Sequence, residues 1–151
     1  MDGKILAKNK RANFDYEVLE KFEAGMVLIG AEVKSIKAGQ VQMKGSYVTA
    51  FRGRVQTENM HVSPYRYAVI EGIDPLRKRQ LLLKKKEIDQ LTDYSSQKGL
   101  TLVPLEILLK KNFIKLIIGV CRGKKSHDKR DVLKHRAENR EIEQGLKKFT
   151  R

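Results

Sequence analysis

In 151 residues, 32 Lys and Arg outnumber 18 Asp and Glu, giving a formal net charge of +14 and a pI near 9.9. That excess points to an anionic partner, with nucleic acid the leading class, and the lack of an apolar span of about 20 residues excludes a membrane-crossing helix. One cysteine, Cys121, rules out an internal disulfide, and with no apolar stretch near Met1 long enough for a secretory signal, a reducing cytoplasmic setting is expected.

In chain order, Lys4 to Asn13 read as a short polar and basic leader. Phe14, Tyr16, Val18 and Phe22 then alternate with Asp15, Glu17 and Lys21, the period of a strand with one buried face. Val33 and Ile36, three apart between Gly30 and Gly39, predict a short helix ended by a glycine able to take the left-handed conformation. Ser46 to Phe51 and Arg54 to Thr57 flank Arg52-Gly53 as a hairpin, and a further extended stretch runs through Met60, Val62 and Pro64. Asp74-Pro75 marks a turn and Leu81 to Leu83 a buried strand end. Ile88, Leu91, Thr92 and Ser95 form a helical stripe closed by Gly99. Leu105, Ile107 and Leu109, then Ile114, Leu116, Ile118 and Val120, predict two alternating strands joined at Lys110-Lys111-Asn112. Several short strands interspersed with short helices suggest a mainly β chain, a small barrel of the oligonucleotide-binding type.

At Cys121 this pattern stops. From Arg122 to Arg151 there are 11 Lys or Arg against 5 Asp or Glu, and few apolar side chains. So little hydrocarbon cannot offset roughly 1–2 kcal/mol per residue of backbone entropy, so the expected organisation is a folded body, 1–121, and a basic tail, 122–151, disordered alone and ordered by a polyanion. Within the tail, Glu143 and Lys147 form a favourable i to i+4 pair beside Ile142, Leu146 and Phe149, a helix too weak to stand by itself with Gly145 inside it.

Two basic groups flank the leucine run, Arg77-Lys78-Arg79 and Lys84-Lys85-Lys86. Cations at a helix start oppose its dipole, so an anionic ligand is expected there rather than a purely structural role. Tyr47, Phe51, Tyr65 and Tyr67 lie among basic segments, where each either stacks on an unpaired base or packs into the body. Gly119 to Ser126 does not fit a phosphate-binding P-loop, because only three residues separate Gly119 from Gly123. His61, His127 and His135 are too scattered to bind zinc with one cysteine, no cofactor motif is present, and His127 beside Asp128 lacks a second catalytic group for a ribonuclease.

Phe22-Glu23-Ala24-Gly25, Gly30 to Gly39, Ser46-Tyr47-Val48, Asp74 to Leu83, and Gly119 with Gly123 to Arg130 together resemble the bacterial small protein B family, the SsrA-binding proteins, in order and over about Asn9 to Arg140. The resemblance implies a six-stranded barrel that binds the tRNA-like domain of transfer-messenger RNA (tmRNA). It implies no catalysis, but delivery of alanyl-tmRNA with elongation factor Tu and GTP to stalled ribosomes. The tail would become helical in the empty mRNA channel near the decoding centre of the small subunit. Carried across, Glu23, Tyr47, Lys84 and Lys115 match the RNA-contacting surface, joined by Arg77 and Arg79 of the basic cluster. Lys124, Lys125, His127, Asp128, Lys129, Arg130, Lys134 and Arg136 form the expected ribosome-facing part of the tail. Lys84 departs from the polar or imidazole residue of many relatives, and Asn13-Phe14 stands where Arg-His is common. A structural ribosomal protein with its extension fixed in rRNA is the rival reading, and a monomer is the default state.

Overall fold

A computed structural model describes residues 3–66 and 72–123, in the order β1 (Lys4–Lys8), α1 (Ala12–Asp15), β2 (Tyr16–Met26), α2 (Gly30–Lys37), β3 (Val41–Gln42), β4 (Tyr47–Phe51), β5 (Arg54–Glu58), β6 (His61–Val62), β7 (Arg79–Leu82), α3 (Lys85–Ser96), β8 (Leu100–Lys110) and β9 (Phe113–Gly123). Strands pair antiparallel in the order β8-β4-β5-β7-β2-β9, and β9 pairs back onto β8. Six strands thus close into a ring, the architecture expected, and closure leaves those six without a free sheet edge along the paired stretches. Both hairpins turn through two residues of positive φ: Arg52 (51°) and Gly53 (75°), and Lys111 (49°) and Asn112 (67°). Such turns match the right-handed twist of the flanking strands.

Apart from the buried Glu32, Ser35, Ser46, Thr57 and Arg79, the interior is apolar. Phe22, Val48, Val55, Leu81, Leu102, Ile107, Leu116, Ile118 and Val120 converge from the strands, while Ile36 of α2 and Leu91 of α3, both fully buried, join the same core from the helices. Burial of each large side chain contributes about 1.5–3 kcal/mol. A second cluster, Ala12, Val103, Leu105, Leu108, Ile117 and Cys121, lies on the other face of β8 and β9 under α1 and the start of β2. Burial on both faces explains why β9 reads as a nearly continuous apolar run.

Three expectations are corrected. The leader is β1 and α1, and Phe14 belongs to the helix rather than to β2. β1 has a place because β8 changes partner along its length: Leu102 pairs with β4, whereas Glu106 to Leu109 pair with β1. Pro104, which has no amide to donate, sits at the changeover, where the Asn9 side chain donates to the Pro104 carbonyl (2.8 Å) and the Asn9 amide to that of Leu105 (2.8 Å). Secondly, Leu105 does not share a face with Ile107, because a bulge between Pro104 and Glu106 shifts the pleat. A bulge between Val18 and Glu20 likewise separates Tyr16 and Val18, outside, from Phe22, inside. Thirdly, β9 continues past Cys121 through Arg122, paired with Glu17 (2.6 Å), to Gly123.

Candidate nucleic-acid interface

Side chains alternate across the ring wall, so those opposite buried core positions point outward. Gly25 of β2 is the register partner of both Lys115 on β9 and Leu82 on β7, which puts the three on one outer surface. Glu23 lies on the same face two residues earlier, 3.2 Å from Lys110 Nζ of the β8–β9 turn. Phe113, 67 % exposed, has Lys115 Nζ 5.9 Å from its ring centre, and Leu82 is 56 % exposed. Lys84 follows β7 at the start of α3, where its amide donates to Glu87 (3.2 Å) and leaves the ammonium in solvent beside Lys85 and Lys86. The Glu87 carboxylate at the first turn therefore meets the dipole requirement that three lysines cannot. Glu23 and Lys115 thus share a face of the adjacent strands β2 and β9, and Lys84 lies off the end of the neighbouring β7, at the start of α3. Leu82 corrects the expectation of a buried strand end, because on β7 Leu81 faces the core and its neighbour points outward; Lys110 and Phe113 were not singled out in the sequence, although Phe113 follows a basic turn on the parity opposite to Ile114.

Arg79 is a correction. Its side chain is fully buried and cannot meet RNA: Nε donates to Glu32 Oε2 (2.7 Å), one terminal nitrogen to the Met60 carbonyl (2.6 Å) and the other to that of Pro75 (3.0 Å). Glu32, on α2, also accepts from Arg77 (2.5 Å) and from the Ile29 amide (3.0 Å). Burial acts to raise the Glu32 carboxyl, but the hydrogen bonds from Arg77, Ile29 and Arg79 and the charge of Arg79 outweigh it and hold it below its ordinary value. Burial lowers the Arg79 guanidinium, with Glu32 opposing. Arg77 remains one-third exposed, and Lys78 stands 3.4 Å from Glu58. The basic loop that lacks acids in sequence acquires them in space.

Tyr47 is 42 % exposed on β4, three strands round the ring from β2, and lines a cleft of about 190 Å³ with Arg11, Asp15 and Tyr16. The structure does not bring it together with Glu23 and Lys115. Tyr65 borders a cavity of about 420 Å³ beside Arg79 and Arg66, and Phe51 stands 68 % exposed at the β4–β5 tip. Tyr67 and the tail positions Lys124, Lys125, His127, Asp128, Lys129, Arg130, Lys134 and Arg136 lie outside the described residues. Among those described, no three His, Cys, Asp or Glu side chains are placed to hold a metal ion, and no helix is long and apolar enough to cross a membrane.

A closed antiparallel ring of six strands with short flanking helices is an architecture like that of the oligonucleotide-binding folds. The profile of the SmpB protein family matches residues 6–148, and the chain belongs to that family. It is 47 % identical to the SsrA-binding protein of Clostridium perfringens (strain 13 / Type A) over 150 residues, covering 99 % of this chain and 96 % of the relative. With the SsrA-binding protein of Bacillus subtilis (strain 168), identity is 47 % over 145 residues, 96 % of this chain and 93 % of the other. A solved chain from the structure described as "tmRNA-SmpB: a journey to the center of the bacterial ribosome" superposes with a TM-score of 0.68 at 45 % identity, over 80 % of this chain and 85 % of that one.

Proposed function

We propose that the chain is an RNA-binding adaptor, not an enzyme, that holds the tRNA-like domain of tmRNA and brings it to stalled ribosomes for trans-translation. The observation that carries this reading is the extent of the match: the family profile runs from β1 through the ring and far into the basic tail, and the fold matches that of a chain solved with tmRNA at the ribosome. The half-buried Lys115 on β9 and the exposed Lys84 at the start of α3 contribute to the non-specific electrostatic attraction such an RNA requires. In this reading Glu23, Lys84 and Lys115 meet the tRNA-like domain on one face, with Tyr47 on a separate one and Arg77 at the margin. The tail, through Lys124, Lys125, His127, Asp128, Lys129, Arg130, Lys134 and Arg136, enters the empty mRNA channel by the small-subunit decoding centre. Delivery involves alanyl-tmRNA, elongation factor Tu and GTP, with the protein acting as a cytoplasmic monomer.

The test is removal of residues 124–151. The shortened protein should retain the tRNA-like domain in a gel-shift titration while peptide tagging on stalled ribosomes is lost. Loss of both in proportion would defeat the division of labour between ring and tail. A protein that co-sediments one per ribosome without a stalled message would instead be a structural ribosomal component.

A further inference from the structure

Hairpin β4–β5 lies across the ring from β2 and β9 and ends in a surface the core does not use. Phe51 points outward with 68 % of its surface in solvent. Arg54 is its cross-strand partner, and the guanidinium carbon of Arg52 lies 5.1 Å from the ring centre. Among the described residues neither arginine forms an ion pair, and the acid on this wall, Glu58, is engaged by Thr49, Gln56 and Lys78. Arg52 occupies a left-handed position (φ 51°), one where Asn or Asp is easier to accommodate. Thr49, Phe51, Arg52, Arg54 and Gln56 together line a cleft of about 340 Å³. The β8–β9 tip repeats the device, with Phe113 exposed beside Lys110 and Lys111.

We infer that the β4–β5 tip is a second RNA contact, which stacks an unpaired base on Phe51 while Arg52 and Arg54 hold the flanking phosphates. A protein partner is less well served, because two guanidinium groups without an ion pair among the described residues, beside one accessible ring, match a strand of alternating bases and phosphates. The inference rests on the chain binding structured RNA and adds a contact on the opposite wall. The base belongs either to the tRNA-like domain or to ribosomal RNA.

The chain has no tryptophan, so Phe51→Trp in the full-length protein places a single indole at the tip, excited selectively at wavelengths where the five tyrosines do not absorb. It is titrated with a transcript of the tRNA-like domain and, separately, with small ribosomal subunits, complex formation being followed in parallel by gel shift or co-sedimentation. Quenching of the indole by either RNA supports the contact and identifies its source. Phe51→Ala should then weaken that complex by about fivefold or more, whereas Phe51→Tyr and Phe51→Trp retain it. Changing Arg52 and Arg54 together to Ala should flatten its log–log salt slope by about 1–2. Complexes that form with both RNAs without quenching, and with Phe51→Ala binding as the unaltered protein does, would overturn the contact while leaving the proposed function intact. Failure of the unaltered protein to bind either RNA would overturn the function itself, and the contact with it.

Discussion

Glu32 and Arg79, 47 residues apart in the chain, meet in the interior with Arg79 Nε 2.7 Å from Glu32 Oε2 and both side chains almost wholly removed from water. The pair ties α2 to β7 and, through the Met60 and Pro75 carbonyls, fixes the segments on either side of 67–71. Removing one member leaves a buried charge unpaired, so Glu32→Gln should cost about 3–5 kcal/mol in urea unfolding. Replacing both, Glu32→Leu with Arg79→Met, should recover most of that loss and leave RNA affinity unchanged. A double variant that folds well but binds RNA poorly would return Arg79 to the interface.

The same pair sets an acid limit. Because the folded Glu32 carboxyl is held below its ordinary value, its stabilisation is fully present above the unfolded pKa of about 4.3 and is lost as pH falls through the lower folded value. Unfolding midpoints measured from pH 7 to pH 2 should therefore fall below about pH 4, with a shallower fall in Glu32→Gln. Parallel profiles for the two proteins would show that Glu32 carries no such linkage.

Gly119 belongs to packing rather than to phosphate binding. A Cβ there would stand 2.7 Å from Leu105 Cδ1 and 3.1 Å from Cys121 Sγ, so Gly119→Ala should destabilise by about 1–3 kcal/mol. Combining it with Leu105→Ala opens the space, and the double variant should lose less than the sum of the singles. Additivity to within about 0.5 kcal/mol would mean that Leu105 does not sit over the glycine.

Cys121 is fully buried, and burial pushes its thiol up to about 11. At pH 8 roughly one thiol in a thousand is ionised, against about a quarter for an ordinary cysteine, so native alkylation should be slower by about 100-fold or more than in denaturant. Equal rates in the two conditions would place the thiol at the surface.

Local patterns in the sequence carried the ring a long way. Both hairpins, the α2 stripe at Val33 and Ile36 and the α3 stripe at Leu91 depend on spacing within a dozen residues, which is where periodicity speaks. Facing was lost wherever a bulge intervened, since one extra residue near Val18 or Leu105 reverses every later side chain without any compositional mark. Edge strand β1 was missed because five mostly exposed residues have little alternation to show. The basic cluster was overread for a different reason: Arg77, Lys78 and Arg79 meet Glu32 and Glu58 only after folding, and charge counting along the chain does not see partners that distant.

On the β2–β9 face, charge and shape make opposite predictions for one residue, and that makes it the sharpest test. If about six phosphates are neutralised, log affinity for the tRNA-like domain should fall against log salt with a slope near −4 to −5, and Lys84→Ala or Lys115→Ala should each reduce the magnitude by about 0.7–0.9. Glu23 carries the wrong sign for a phosphate and neutralises Lys110 at 3.2 Å, so attraction by charge alone predicts that Glu23→Gln binds more tightly. A carboxylate that accepts from a 2′-hydroxyl or a base edge predicts weaker binding instead, with the slope almost unchanged, and this second outcome is the one expected from the RNA-contacting role assigned to Glu23. Lys110→Ala separates the contributions: it removes the ion pair without removing the acceptor, and should weaken binding less than Glu23→Gln. Tighter binding by Glu23→Gln, measured at two salt concentrations, would take Glu23 out of the interface and leave Lys84 and Lys115 as its electrostatic core.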